Sequence, residues 1–159
     1  MSEYSAKVVW KRQPEEAFKD NKYSRGHSWE FDGGAVVAAS SAPSIVPLPY
    51  SVEANVDPEE AFIASLSSCH MLFFLAIAGK RDFVIDQYID NPTGIMEKDA
   101  EGKISITKVT LRPQVTFSGD KQPTMEKLEQ MHHQAHEQCF IANSVKTEVV
   151  IEVMIETGL

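Results

Sequence analysis

The sequence contains few cysteines and no long apolar run, and both facts restrict what the protein can be. Its 159 residues include two cysteines, which do not form a CxxC pair. The longest apolar run, residues 71–78, has eight residues, whereas a membrane-spanning helix needs about 20. The N-terminal segment also lacks the apolar stretch of a signal peptide. We therefore expect a cytoplasmic protein, in which a disulfide would be catalytic or redox-sensing.

Basic clusters are also absent. The formal net charge is −8 and the pI is about 5.1, and neither nucleic-acid binding nor binding to an anionic membrane fits that charge. Hydrophobic residues make up 43% of the chain and charged residues 24%, which is ordinary for a folded globular protein. The length suits one domain, so we predict a single domain over residues 1–159.

The first third of the sequence predicts a small β-structure. Residues 4–10 are rich in β-branched and aromatic side chains, as strands are. Residues 23–31 and 35–39 flank Asp-Gly-Gly at 32–34, a combination that favours a tight hairpin turn. Residues 40–50 contain three prolines and predict a loop.

The next segment predicts a long helix. Asp57 is a good N-cap, Pro58 suits the first turn, and Gly79 suits the C-terminal end. After Glu60 the segment is apolar almost all round, apart from a few serines and a histidine. We therefore predict a central helix that is buried on every side.

The remaining sequence alternates between extended and helical patterns, which places the chain in the α+β class. Alternating residues predict strands and a 3.6-residue period predicts a helix. The predicted elements are extended segments within 83–97 that break near residues 91–92, a turn at 99–102, one long strand over 104–117 with a bulge or edge position at Pro113, a helix over 124–138, and a final strand over 147–155.

The two cysteines allow more than one interpretation. Cys69 lies in the long helix and Cys139 at the end of the second helix. Free cysteine often packs as a small buried hydrophobe, so two core residues are one interpretation and a distant redox couple is another. A third is a metal site, because His132, His136 and Cys139 are spaced to share one helix face and are good zinc ligands.

Two charged residues are candidates for tuning a reactive thiol. Arg25 precedes the predicted hairpin, and Glu59 lies in the first turn of the long helix. A guanidinium beside a thiol favours the thiolate, and a carboxylate can hold that guanidinium in place. Arg12 is the other N-terminal arginine that could serve, and a solvated surface charge is the plainer interpretation of each residue.

Four segments together resemble the OsmC/Ohr family of peroxide-reducing proteins, and its OsmC-like subgroup most closely. Residues 57–69 resemble the family's first-cysteine helix, with Pro-Glu ten residues before the thiol, and residues 136–144 resemble its second-cysteine segment. Residues 23–27 and 31–34 fit its N-terminal arginine and hairpin. The resemblance implies an OsmC-like fold, with antiparallel sheets packed around a long central helix, in an intertwined homodimer.

The same resemblance implies a thiol peroxidase that reduces organic hydroperoxides and also hydrogen peroxide. Cys69 would be oxidised to a sulfenic acid and Cys139 would resolve it as a disulfide. Arg25 would stabilise the thiolate and Glu59 would orient Arg25. An external dithiol, such as a lipoyl group on a protein, would then reduce the disulfide. The resemblance implies no metal, flavin or haem.

Helix geometry adds one expectation about the dimer. Ten helical residues span roughly 15 Å, so Glu59 cannot touch Cys69 within one straight helix. If Arg25 and Glu59 act on a thiol, we expect it to be Cys69 of the other subunit. Two alternatives to a peroxidase remain at this stage: a redox sensor or small-molecule binding protein with the same fold, and the metal-binding protein described above.

Overall fold

The computed structural model describes residues 1–154. The chain forms two compact units, one over residues 1–61 and the other from Phe62 onward. Strands and helices occur together, which confirms the predicted α+β class.

The first unit contains a three-stranded antiparallel sheet. Its strands are β1 (Lys7–Val9), β2 (His27–Glu30) and β3 (Val36–Ala39), in that spatial order. The predicted hairpin between β2 and β3 is confirmed. Gly34 has a φ of +94°, a conformation that favours glycine. All three strands are shorter than the sequence predicted.

The long helix, α1 (Pro58–Lys80), begins where the sequence predicts and ends one residue beyond Gly79. The Asp57 backbone N–H donates to Glu60 Oε1 at 2.9 Å, and the Glu60 N–H donates to Asp57 Oδ1 at 2.8 Å. This reciprocal pair is a capping box that satisfies two backbone donors at the helix start. A local signal in the sequence therefore fixes the N-terminal end of α1.

The prediction that α1 is buried on every side is wrong. One face is buried within the second unit, through Leu66, His70, Phe74, Ile77 and Ala78. Another face is exposed and follows helical spacing: Ala64, Ser65, Ser68, Leu72 and Ala76. Leu72 keeps 60% of its surface exposed. An apolar sequence alone does not show which apolar residues find partners in the same chain. Its length and apolar composition would by themselves also suit a membrane-crossing helix, but burying one face in a core is what a helix of a folded domain does.

The second unit contains two further sheets. Strands β4 (Val84–Ile89) and β7 (Gln114–Ser118) pair antiparallel. Strands β5 (Thr93–Lys98), β6 (Ile104–Leu111) and β8 (Glu148–Ile151) form the other sheet, in which β5 and β6 are antiparallel. The β6–β8 pair is parallel, which departs from the purely antiparallel sheets that the resemblance implied. Residue 155 of the predicted final strand lies outside the described residues.

The prediction of one long strand over residues 104–117 is also wrong. The chain breaks at Arg112 and Pro113, and the two halves join different sheets as β6 and β7. Proline has no N–H to give to a ladder. The Arg112 N–H donates to Asp90 Oδ1 at 2.6 Å, outside any strand ladder. These two residues together let the chain pass from one sheet to the other.

Two helices follow β7. The first is α2 (Met125–Gln138), whose N-cap Thr124 accepts from the Lys127 N–H, and the second is the short α3 (Phe140–Asn143). The buried side of α2 packs with α1 and Phe83 in one apolar cluster: Phe74, Ile77, Ala78, Phe83, Leu128, Met131 and Ala135. A second cluster joins Leu66 of α1 to the inner face of β6.

Gly94 of β5 marks a close approach to α1. A Cβ atom built on Gly94 would lie 2.6 Å from Ile63 Cδ1, a separation that real Cβ atoms do not show. Only glycine therefore lets β5 run this close to α1 without displacing Ile63.

Candidate redox site

Cys69 lies on α1 between the buried and the exposed faces, and its side chain is partly buried. The serines around it have separate partners. Ser65 Oγ donates to the Phe62 carbonyl at 2.7 Å, which ties it to its own helix. Ser67 Oγ donates to Asp90 Oδ2 at 2.5 Å. The polar interruption in the apolar helix is thus partly structural.

An apolar groove of about 460 Å³ opens beside Cys69. Its walls come from the exposed face of α1 and from the start of α3: Ser65, Ser68, Cys69, Leu72, Phe73, Ala76 and Phe140. The Phe73 and Phe140 rings meet edge to face, with their centroids 5.0 Å apart. Small, mainly apolar ligands bind in grooves of this kind with a few polar groups at hand.

Cys139 is buried, with 1% of its surface exposed. It ends α2 and caps α3, and its sulfur accepts from the Ala142 N–H at 3.4 Å. A sulfur in this position is held by the backbone of the helix that follows it. The local sequence therefore fixes where the Cys139 sulfur lies.

The fold brings the two cysteines, which are 70 residues apart in sequence, next to each other. Burial raises the pKa of the Cys139 thiol to about 11; the Ala142 N–H opposes this rise, whereas the Cys69 side chain adds to it through a hydrogen bond and through its charge. Both cysteines are free thiols. In this pair the Cys139 thiol therefore keeps its proton.

The predicted charged partners lie in the first unit. Arg25 Nη1 donates to the carbonyls of Asn21 and Tyr23 at 2.9 and 2.5 Å, and Nη2 donates to Asn21 Oδ1 at 2.9 Å. The guanidinium also stacks on the Tyr23 ring, 3.7 Å from its centroid. Glu59 lies in the first turn of α1. The roles of Arg25 and Glu59 toward Cys69 remain predictions.

Arg12, the alternative arginine, serves its own loop. Its Nη1 donates to the Glu16 carbonyl at 2.6 Å, with longer contacts to the carbonyls of Gln13 and Pro14. An arginine that gives its donors to the backbone of a loop has a structural role there.

The proposed metal ligands do not assemble. Within residues 1–154, no group of three or more His, Cys, Asp or Glu side chains is placed to hold a metal ion. The set of His132, His136 and Cys139 is therefore wrong as a metal centre. His132 bonds instead to His70, with Nε2 of His70 and Nδ1 of His132 3.0 Å apart.

Sequence reasoning missed the groove walls and the histidine pair. A signal for the groove was present, because residues 65, 68, 72 and 76 recur at the three- and four-residue spacing of one helix face. The pair of His70 and His132 gave no such signal, since the two residues are 62 positions apart.

Comparisons with known proteins agree with this fold. The family model for OsmC-like proteins matches residues 52–154. The solved structure of an OsmC-like protein of unknown function from Vibrio cholerae is 63% identical, covers 97% of this chain and 100% of its own, and superposes with a TM-score of 0.95. These matches confirm the resemblance that the sequence predicted.

More distant structures share the fold alone. An organic hydroperoxide resistance protein from Elizabethkingia anophelis is 12% identical over 96% of this chain and 95% of its own, with a TM-score of 0.66. The organic hydroperoxide resistance protein of Bacillus subtilis is 20% identical over 95% of this chain and 98% of its own, with a TM-score of 0.61. The search of curated proteins found no match.

Proposed function

This chain belongs to the family of OsmC-like proteins, and on that premise we propose that it is a thiol-dependent hydroperoxide reductase. The observation that carries the proposal is the adjacency of Cys69 and Cys139 beside an apolar groove. Relatives that share the fold include organic hydroperoxide resistance proteins, which points to peroxide-related redox chemistry.

Cys69 performs the first step. The Cys69 thiol gives its proton to water, and the thiolate attacks the terminal oxygen of the hydroperoxide. A sulfur–oxygen bond forms, the oxygen–oxygen bond breaks, and the departing alkoxide takes a proton from water and leaves as the alcohol. Cys69 becomes a sulfenic acid. Cys69 suits this step because it borders the open groove, whereas Cys139 is buried. The apolar walls favour a hydroperoxide with an apolar body.

Cys139 performs the second step. Its sulfur attacks the Cys69 sulfur, the disulfide forms, and the sulfenic oxygen leaves as water. The raised pKa of Cys139 keeps a proton at the site, and that proton supplies the departing water. An external dithiol then reduces the disulfide by exchange and is itself oxidised to a disulfide. A lipoyl group on a protein is one such dithiol.

Turnover with a dithiol tests this proposal. The protein is mixed with cumene hydroperoxide and dihydrolipoamide, and the consumption of peroxide is followed over many equivalents. The proposal requires many turnovers for each protein chain. A single equivalent consumed, followed by a stop, would indicate a redox sensor and overturn the proposal.

We further propose that the protein acts as a homodimer in which Arg25 and Glu59 serve Cys69 of the other subunit. The exposed apolar face of α1, centred on Leu72, is a surface that a second copy can cover. Chains carrying Cys69→Ser and chains carrying Arg25→Ala are each expected to be inactive alone and to regain activity when mixed into dimers. A mixture that stays inactive would contradict the proposal that Arg25 acts on Cys69 of the other subunit.

A further inference from the structure

A pair of buried histidines joins the two helices that carry the cysteines. His70 of α1 and His132 of α2 share a hydrogen bond between Nε2 and Nδ1, 3.0 Å apart. The two residues keep 1% and 2% of their surface exposed. Neither residue is part of the peroxide chemistry described above.

The geometry of this pair is strongly directional. The two rings are coplanar within 4°, and their centroids are 5.3 Å apart. With two nitrogens at 3.0 Å, that arrangement is an in-plane, nitrogen-to-nitrogen bond and not a face-to-face stack. The Phe74 ring lies against the face of His132, at 4.1 Å between centroids. The contact with Phe74 therefore fixes the plane of the His132 ring, and the hydrogen bond to His70 fixes the position of the ring within that plane.

Stability alone does not explain why these residues are histidines. His70 Nδ1 and His132 Nε2 are buried and have no hydrogen-bond partner among the described residues. Buried polar atoms without partners destabilise a fold, and two apolar residues of similar shape would avoid that cost. What the apolar pair would lack is a directional bond.

The position of the pair relative to the cysteines suggests what that bond does. His70 directly follows Cys69 on α1, and His132 precedes Cys139 by seven residues, roughly 10 Å along α2. The buried apolar residues of these two helices, Phe74 and Met131 among them, belong to one hydrophobic cluster. Apolar attraction is non-directional, so it tolerates small shifts of one helix along the other, whereas the in-plane bond does not.

We propose that His70 and His132 are positioning residues for the redox pair: their hydrogen bond sets the register of α1 against α2 that keeps Cys69 next to Cys139. The use of this register in peroxide turnover rests on the proposed function. The register itself does not, because it is a property of any disulfide that these two cysteines form.

The equilibrium with a dithiol measures this positioning without peroxide. The reduced protein and oxidised dithiothreitol exchange to give the Cys69–Cys139 disulfide and reduced dithiothreitol; one disulfide forms for each one broken, and two thiol protons pass to the dithiol. The equilibrium constant reports how close together the fold holds the two thiols. A purely structural loss of stability affects both redox forms alike and leaves this ratio unchanged.

His132→Phe removes the bond and keeps a ring against Phe74. We expect the equilibrium constant for disulfide formation to fall about tenfold or more, because small misplacements of reacting groups have effects of that size. The double variant His70→Gln with His132→Asn places amide groups near the two bonded nitrogens and is expected to restore most of the loss. His70→Leu removes the same bond from the other helix and replaces His132→Phe if that variant does not fold.

Gln134→Ala is the matched control. Arg81 Nη2 donates to Gln134 Oε1 at 2.9 Å, so this variant removes another hydrogen bond made by α2. The partner in that bond, Arg81, lies twelve residues after Cys69 in the sequence. We expect its equilibrium constant to match that of the unaltered protein. An unchanged constant in His132→Phe, or an equal fall in Gln134→Ala, would overturn the positioning role.

The outcomes also separate this proposal from the proposed function. A protein that forms the disulfide with dithiothreitol in a His132-dependent way, yet does not turn over hydroperoxides, would retain the positioning role and lose the peroxidase activity. If the protein turns over hydroperoxides but His132→Phe leaves the equilibrium constant unchanged, the peroxidase activity would stand and the positioning role would be wrong.

Discussion

Cys69 and Cys139 are the same residue type in opposite surroundings. Cys69 borders an open apolar groove on a long helix, whereas Cys139 is 1% exposed and caps a four-residue helix. Burial raises the pKa of Cys139, and the Cys69 side chain adds to this rise. Adjacent thiols can thus have different roles in one redox cycle. The accessible thiol reacts with the substrate, and the buried thiol retains its proton until a sulfenic acid forms beside it.

Removing the accessible thiol is expected to have the largest effect. Cys69→Ser keeps the size and polarity of the side chain but leaves no thiolate at the groove. Turnover of cumene hydroperoxide should fall to the background of the assay, and Cys139 should stay reduced because it is buried. Retained turnover in Cys69→Ser would mean that Cys139 can react first, and the contrast between the two sites would be wrong.

Removing the buried thiol is expected to stop the cycle at a later stage. Cys139→Ser should consume one equivalent of hydroperoxide at the normal rate and then stall, because no sulfur is present to resolve the Cys69 sulfenic acid. Mass spectrometry after excess peroxide should show sulfinic or sulfonic acid at Cys69. Normal cycling of Cys139→Ser with a dithiol would contradict the resolving role.

The contrast between the two cysteines was only partly predictable. The capping box at Asp57 and Glu60, the hairpin at Gly34 and the cysteine-containing helices all follow from local sequence. The adjacency of Cys69 and Cys139 depends on how α1 and α2 pack, which local patterns do not encode. In the sequence it was therefore implied by a family resemblance and not by spacing.

The errors have a similar physical origin. The apolar pattern of α1 predicted burial on every side because hydrophobicity measures the tendency to be buried, not the availability of a partner in the same chain. The strand predicted across Pro113 failed because alternation continues through a change of sheet, and the bond from Arg112 to Asp90 that marks the change is a tertiary contact. The histidines of α2 suggested a metal site because their spacing was visible and the bond from His132 to His70 was not.

A change in the groove wall is expected to have an intermediate effect. Leu72→Gln keeps the side-chain length but makes the wall polar, so an apolar substrate gains less from leaving water. We expect kcat/KM for cumene hydroperoxide to fall about tenfold, the usual size for the loss of one apolar contact, and kcat/KM for hydrogen peroxide to change little. Val84→Gln, at a similarly exposed apolar position on β4, is the control. Equal losses for both peroxides would show that Leu72 acts through the proposed dimer contact and not through the substrate.

Acid should weaken the packing that holds the cysteines together. Burial lowers the pKa of His70 from 6.5 to about 4 and that of His132 to about 3, and each ring is further lowered by a neighbouring histidine. The unfolded chain therefore binds more protons than the folded one below pH 6.5. The stability present above that pH is lost as the pH falls toward 4 and 3, by at most about 3 kcal/mol for His70 and about 5 kcal/mol for His132.

Urea unfolding at several pH values between 7.5 and 4 measures this loss. The midpoint should fall steeply below pH 6.5 in the unaltered protein and less steeply in the double variant His70→Gln with His132→Asn, which has no imidazole at these positions. Identical slopes in the two proteins would contradict the buried neutral state of the pair.

The most direct test of the central claim, that Cys69 and Cys139 form one redox couple, is intact mass and thiol counting after one equivalent of cumene hydroperoxide. The account predicts the loss of both thiols and of two hydrogen masses from the chain, both reversed by dithiothreitol. Two thiols left untouched would contradict it and would make both cysteines packing residues of the core.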